Sequence, residues 1–250
     1  RGRSLAAFFE GVVSRKERKG SLAAVSTMHT ALLCAPEAAI LMQPTLQAML
    51  AEEAGGGKGR SVRELVSLNK ADGSNELFMA ALASLIGRAV VSAPHVISAA
   101  IAAESSRSQQ LVSQWLEVSD SIVLSLQRKI TALAFGTLLT LDSSLLPLLG
   151  EMLSFCVSVL AELEPPQPDA QPLRPVGRAR SGDHAAFAER LEAHSLDPLA
   201  SLPLRPALQE CMSRVAALHG DNLQRQLLAM DVDLLQQVKQ AFDGVNHQSI

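Results

Sequence analysis

The sequence predicts an all-α fold, an α-solenoid (superhelix) of stacked antiparallel helix pairs. Three observations predict it. Ala and Leu dominate and β-branched runs are short, which favours helix over strand. Apolar residues recur at helical spacing: Leu204, Leu208, Cys211, Val215 and Leu218 step by fours and threes, and Leu223, Leu227, Met230, Leu234 and Val238 keep a similar rhythm. Breakers cut the chain into short helices with short turns between them, and no strand–helix alternation is present to build a parallel sheet.

The elements follow in order. Helices are predicted near 4–14, 21–34, 36–53, 61–69, 75–92, 94–104, 107–118, 125–141, 143–163, 184–194, 203–219 and 221–242. Pro36, Pro94 and Pro203 stand where helices begin, because proline is tolerated in the first turn. Ser74-Asn75-Glu76 and Ser201 can cap helix starts. In 77–90 the apolar stripe is wide, through Leu77, Phe78, Ala81, Leu82, Leu85, Ile86, Ala89 and Val90, as in a helix covered on two sides. Asp231 can restart the last helix, leaving 221–242 as two pieces. Gly55-Gly56-Gly57-Lys58-Gly59-Arg60 reads as a flexible loop, and 164–182, with Pro165, Pro166, Pro168, Pro172 and Pro175, as a flexible connector. The domain division is therefore 1–163 helical repeats, 164–182 connector, and 183–250 C-terminal helical repeats or cap. A helix pair of roughly forty residues matches the period of HEAT-type arrays. A single pair cannot bury its own apolar face, but stacked HEAT-like pairs cover one another.

Composition excludes several functions. The 250 residues carry a net charge of −3, with 48% apolar, 19% charged and 3% aromatic types. Such a chain is too apolar to be disordered overall. Charge runs from +3 in 1–60 through −3 in 61–163 and +1 in 164–182 to −4 in 183–250. A nucleic-acid module needs a basic stripe with stacking aromatics, and neither is present, so no nucleic-acid partner is expected. Cys34, Cys156 and Cys211 are odd in number and far apart, which makes neither a disulfide framework nor a zinc set and suits a reducing compartment. The chain starts at Arg1 and reads as a piece of a longer protein.

No cofactor, metal or catalytic residue is expected. The loop around Lys58 lacks the Ser or Thr of a P-loop and follows a helix instead of a strand. Arg15-Lys16-Glu17-Arg18-Lys19 reads as a solvated turn. His29, His95, His184, His194, His219 and His247 include no zinc-type i, i+4 pair, and His95 reads as a packed structural residue. The cysteines sit in apolar helical settings as small hydrophobes. Residues 144–163 approach membrane-span length, but Glu151 falls mid-segment, where a charge costs about 2–3 kcal/mol, so a buried helix is expected and no membrane insertion. The most distinctive cluster is a structural repeat lock. Trp115 anchors one helix end, Asp120 sits in the turn, and Arg128 and Lys129 open the helix carrying Ala132, Leu133, Phe135, Leu138 and Leu139. Together they would hold two helices at a fixed angle, an architectural role.

The run QWLEVSDSIVLSLQRKITALAFGTLLTL at 114–141 resembles a C-terminal repeat of importin-β-family (karyopherin-β) nuclear transport receptors. Leu196-Asp197-Pro198, followed by helices through Leu208, Met212, Leu218, Leu227, Val232, Leu235, Val238 and Phe242, is similar to the end of the importin-eleven type. The resemblance covers about 75–250, and the first 70 residues hardly at all. The connector departs from that type in lacking an acidic run, and 55–60 is an unmatched insertion. The resemblance implies a C-terminal part of a receptor that binds protein cargo for Ran-dependent passage through the nuclear pore. It implies Ran GTPase as a partner, mainly through N-terminal repeats absent here, and Phe-Gly nucleoporins as others. It also implies a monomer shuttling between nucleus and cytoplasm and found at the nuclear envelope. A HEAT or armadillo scaffold of a vesicle coat or phosphatase regulator is the alternative. Neither role is enzymatic.

Overall fold

The computed structural model describes His29, Leu32, 74–103, 105–164 and 197–243. The helices expected at 4–14, 36–53, 61–69 and 184–194, most of that at 21–34, the 55–60 loop and the connector at 165–182 lie outside these residues, as does Cys34. All the regular structure among the described residues is helical.

Helix α1 (Ser74–Ser92) and α2 (Pro94–Ala103) are separated by the single buried residue Ala93. Pro94 has no N–H to continue the ladder and pushes the preceding residue out of helical geometry. Helix α3 spans Ser105–Ser119, and the Ser119 hydroxyl donates to the Leu116 carbonyl at 2.7 Å as it closes. Helix α4 spans Ser125–Leu141. The expected continuous helix at 143–163 is instead two pieces. A 3₁₀ segment, Ser143–Leu148, contains Pro147, and α5 begins at Leu149 and runs to Leu163. Asp142 starts the 3₁₀ turn by accepting the Ser144 N–H at 2.8 Å.

A short helix that the sequence reading omitted, α6 (Pro198–Ser201), precedes α7 (Leu204–Ala229). Asp197 caps it by accepting the Leu199 N–H at 2.9 Å, with Pro198 in the first turn. Ser201 does not cap α7; its hydroxyl donates back to the Pro198 carbonyl at 3.1 Å. The expected boundary between 203–219 and 221–242 is a kink inside α7 at Gly220, whose φ of 27° and ψ of −103° suit a residue without Cβ. The true break falls at Met230. Asp231 then accepts the N–H groups of Asp233 at 2.9 Å and Leu234 at 3.2 Å and opens α8 (Val232–Asp243).

Residue contacts give the directions of the helices. Between α4 and α5, Ser125 meets Glu162 and Ala132 meets Cys156, so they form an antiparallel hairpin. Between α7 and α8, Arg205 meets Ala241 and Gln209 meets Phe242, a second antiparallel hairpin. Between hairpins the order is kept. Gly136 lies against Leu208 and Cys211, and the Leu139 carbonyl meets His219, so α4 and α7 run parallel. Gly150 faces Leu234 where α5 and α8 both begin. Matched hairpins stacked in register are the unit of a helical repeat array. The A-type helices α1, α4 and α7 start at Ser74, Ser125 and Leu204, and the first of these steps, about 50 residues, exceeds the forty-residue expectation because α2 is extra.

Helix α4 is covered by α1, α5 and α7, which leaves Lys129–Gly136, Leu138 and Leu139 buried. One continuous apolar core runs from Leu32 and α1 through α4 and α5 to Leu223. The apolar Ser143–Leu163 stretch is long enough to cross a bilayer. Here it turns Leu149, Met152, Leu153, Phe155, Cys156, Val159 and Leu160 into that core, with Glu151 exposed.

Candidate functional site

The candidate site is a set of side chains that tie one hairpin to the next. Trp115, only 6% exposed, lies on the bare face of Gly87, where an added Cβ would stand 3.3 Å from the indole. Its ring centroid is 4.9 Å from that of Phe135, which is 5.5 Å from Phe155 in an edge-on pair. The Arg128 guanidinium caps this row, 5.3 Å over Phe155. It also pairs with Glu162 at 2.9 Å and donates to Ser158 at 3.2 Å. Trp115 and Arg128 therefore bound one aromatic row that joins α3, α4 and α5.

The other two lock residues lie elsewhere. Asp120 is exposed in the α3–α4 turn, and no bond joins it to Arg128 or Lys129. Lys129 is buried and points the other way, its Nζ donating to the Ala200 carbonyl of α6 at 2.8 Å. Burial pulls its pKa below the ordinary lysine value, partly opposed by the nearby charges of Glu164 and Asp197.

A buried ion pair stands beside Lys129. The Arg88 guanidinium holds the Asp197 carboxylate with two hydrogen bonds, one of 3.0 Å from Nη1 and a short one from Nη2. Arg88 is 2% exposed and Asp197 4%. Burial by itself would raise the Asp197 carboxyl, but the Arg88 and Leu199 hydrogen bonds and the charges of Arg88 and His29 hold it below its ordinary value. Glu164 accepts the N–H groups of Leu204 at 2.6 Å and Arg205 at 3.2 Å, so its carboxylate fills the N-terminus of α7. Arg205 returns a bond to the Glu164 carbonyl at 3.0 Å.

Sequence reasoning missed Arg88 and Glu164. The available signal for Arg88 was a lone cation inside the wide apolar stripe of 77–90, where a charge needs a partner. For Asp197 the signal was an acid directly before a proline, the pattern of a cap and first helical turn. Nothing in the sequence pointed from either to the other.

The remaining chemistry-bearing residues are structural or dispersed. Cys156 is buried, and its thiol, pushed up to about 12 by burial and by neighbouring Cys211, is a weak nucleophile. Burial also raises the Cys211 thiol. His219 bonds the Leu139 carbonyl at 3.0 Å. His95, expected to be packed, is exposed at the start of α2. Among the described residues no group of three or more His, Cys, Asp or Glu could hold a metal ion. Large apolar side chains are exposed at Val123 and Leu124 in the α3–α4 turn and at Leu218, Leu228 and Val232 around α7 and α8.

A family model described as "Importin-11-like, TPR repeats" matches residues 1–243. The match takes in the first 70 residues, which the sequence resemblance hardly reached. No curated protein and no solved structure matches the chain.

Proposed function

We infer that this chain, which belongs to the importin-11-like repeat family, serves as the cargo-binding C-terminal part of a nuclear transport receptor. The family is of a non-enzymatic, transport-receptor type. In this reading the chain works by binding and not by turnover. Stacked hairpins present a long surface to protein cargo, and small rotations between neighbouring hairpins add up along the stack. GTP-loaded Ran, bound mainly by repeats upstream of these, releases import cargo. Linkage requires that Ran and cargo favour different curvatures or overlap in space. Phe-Gly nucleoporins carry the receptor through the pore, and the protein shuttles between cytoplasm and nucleus as a monomer. The connector at 164–182 separates the repeats of 1–163 from those of 183–250, and the Trp115–Arg128 row with Lys129 sets the angle between repeats.

The observation that supports the reading most is the family match over nearly the whole chain, and the parallel register of α4–α5 on α7–α8 agrees with it. The test is a pull-down of the full-length protein with GTP-loaded Ran and with nucleoporin Phe-Gly segments. Recovery of both, with cargo displaced by Ran, supports the reading. Recovery of neither defeats it.

A further inference from the structure

Residues 165–196 fall between α5 and α6, and the residue on each side of them is a carboxylate held within the fold. Glu164 closes onto the first N–H groups of α7, and its partner Arg205 reaches on to the Ala241 carbonyl at the end of α8. Asp197 is buried against Arg88, a residue of α1 that lies 109 positions earlier. Just beyond it, the Ala200 carbonyl takes the Lys129 ammonium from α4. Asp197 thus pairs with a cation from an earlier helix, Arg88, while Glu164 pairs with Arg205 of α7 and lies near the charge of Lys129. Buried charges persist only when paired and hydrogen-bonded, and such pairs select one arrangement of elements more than they add stability.

We propose that the Asp197–Arg88 and Glu164–Arg205 pairs, with Lys129 on the Ala200 carbonyl, form a clasp that ties α6 and α7 to the helices before them. The α7–α8 hairpin is held in register on α4–α5 by this clasp and by apolar packing, and the register does not depend on residues 165–196.

Hydrogen exchange on the full chain tests this, read separately for α4–α5 and α7–α8. One variant replaces 165–196 with a Gly/Ser linker of about ten residues, a flexible coil. Its α7–α8 amides should exchange within about threefold of the parent, as for a unit whose local opening is unchanged. In the intact chain, Asp197→Asn and Glu164→Gln should each speed exchange in α7–α8 at least about tenfold more than in α4–α5. If Asp197→Asn fails to fold, Glu164→Gln, at the more exposed tie, carries the test. The clasp is overturned if excision speeds α7–α8 as much as the substitutions do. It is equally overturned if the substitutions leave α7–α8 at parent rates, or speed every helix alike.

Discussion

At Arg88 a guanidinium is taken out of water and given a single carboxylate, Asp197, in return. Removing one member of such a pair strands the other, at a cost of about 3–5 kcal/mol. Asp197→Ala should lower unfolding free energy by about that much, measured by urea denaturation. The double variant Arg88→Met with Asp197→Leu should recover most of the loss, because an apolar pair needs no partner charge. The same pair sets an acid limit. The Asp197 carboxyl titrates below its ordinary 3.8 in the fold, so on acidification the unfolded chain takes up the proton first. Its contribution is therefore complete above the unfolded value and drains away as pH falls through the folded one. Stability profiles of parent and Asp197→Asn should diverge above that window and converge below it. Arg88, His29 and Lys129 supply the positive surroundings. Cys156 gives a kinetic counterpart. With its thiol near 12 and its side chain buried, alkylation near neutral pH should label Cys156 only after unfolding, as peptide mass mapping would show.

Among the elements, α4 has the most crowded surroundings. It meets α7 at Gly136, where an added Cβ would stand 3.2 Å from both the Cys211 Cβ and a Leu208 methyl. The helix-propensity gain from replacing glycine, about 1 kcal/mol at most, competes there with overpacking of about 1–3 kcal/mol. Gly136→Val, bulky and β-branched, should destabilise by about 2 kcal/mol in chemical denaturation. Gly150→Ala, whose nearest neighbour would be 3.8 Å away, should be neutral or stabilising by up to about 1 kcal/mol. The contrast separates a glycine needed for helix contact from one that is not.

For the whole molecule, the continuous core from α1 to α7 couples the hairpins. Trp115 is the only tryptophan and is 6% exposed, so its emission reports directly on the α1–α3–α4 junction. Fluorescence and far-ultraviolet circular dichroism should give coincident urea transitions, since α4 belongs to both halves of the described stack. Separate midpoints would show that the repeats melt independently. The helical class, the order of the elements from α1 to α5 and the family relationship follow from local signals: apolar period, proline and cap positions, and the 114–141 run. Each depends on neighbours a few residues away, so a linear reading captures it. Partnership is different. Asp120 was grouped with Arg128 and Lys129 because they are close in sequence, yet Arg128 turns to Glu162 and Lys129 to Ala200. Arg88 finds Asp197 only when α1 and the start of α6 are brought to one place. The sequence by itself determined that the chain would be helical and where most helices would stop, because those choices are made by short-range sterics and hydrogen bonding. Only the tertiary structure decided which charges meet, because a buried ion pair is chosen by which helices share the core and not by distance along the chain.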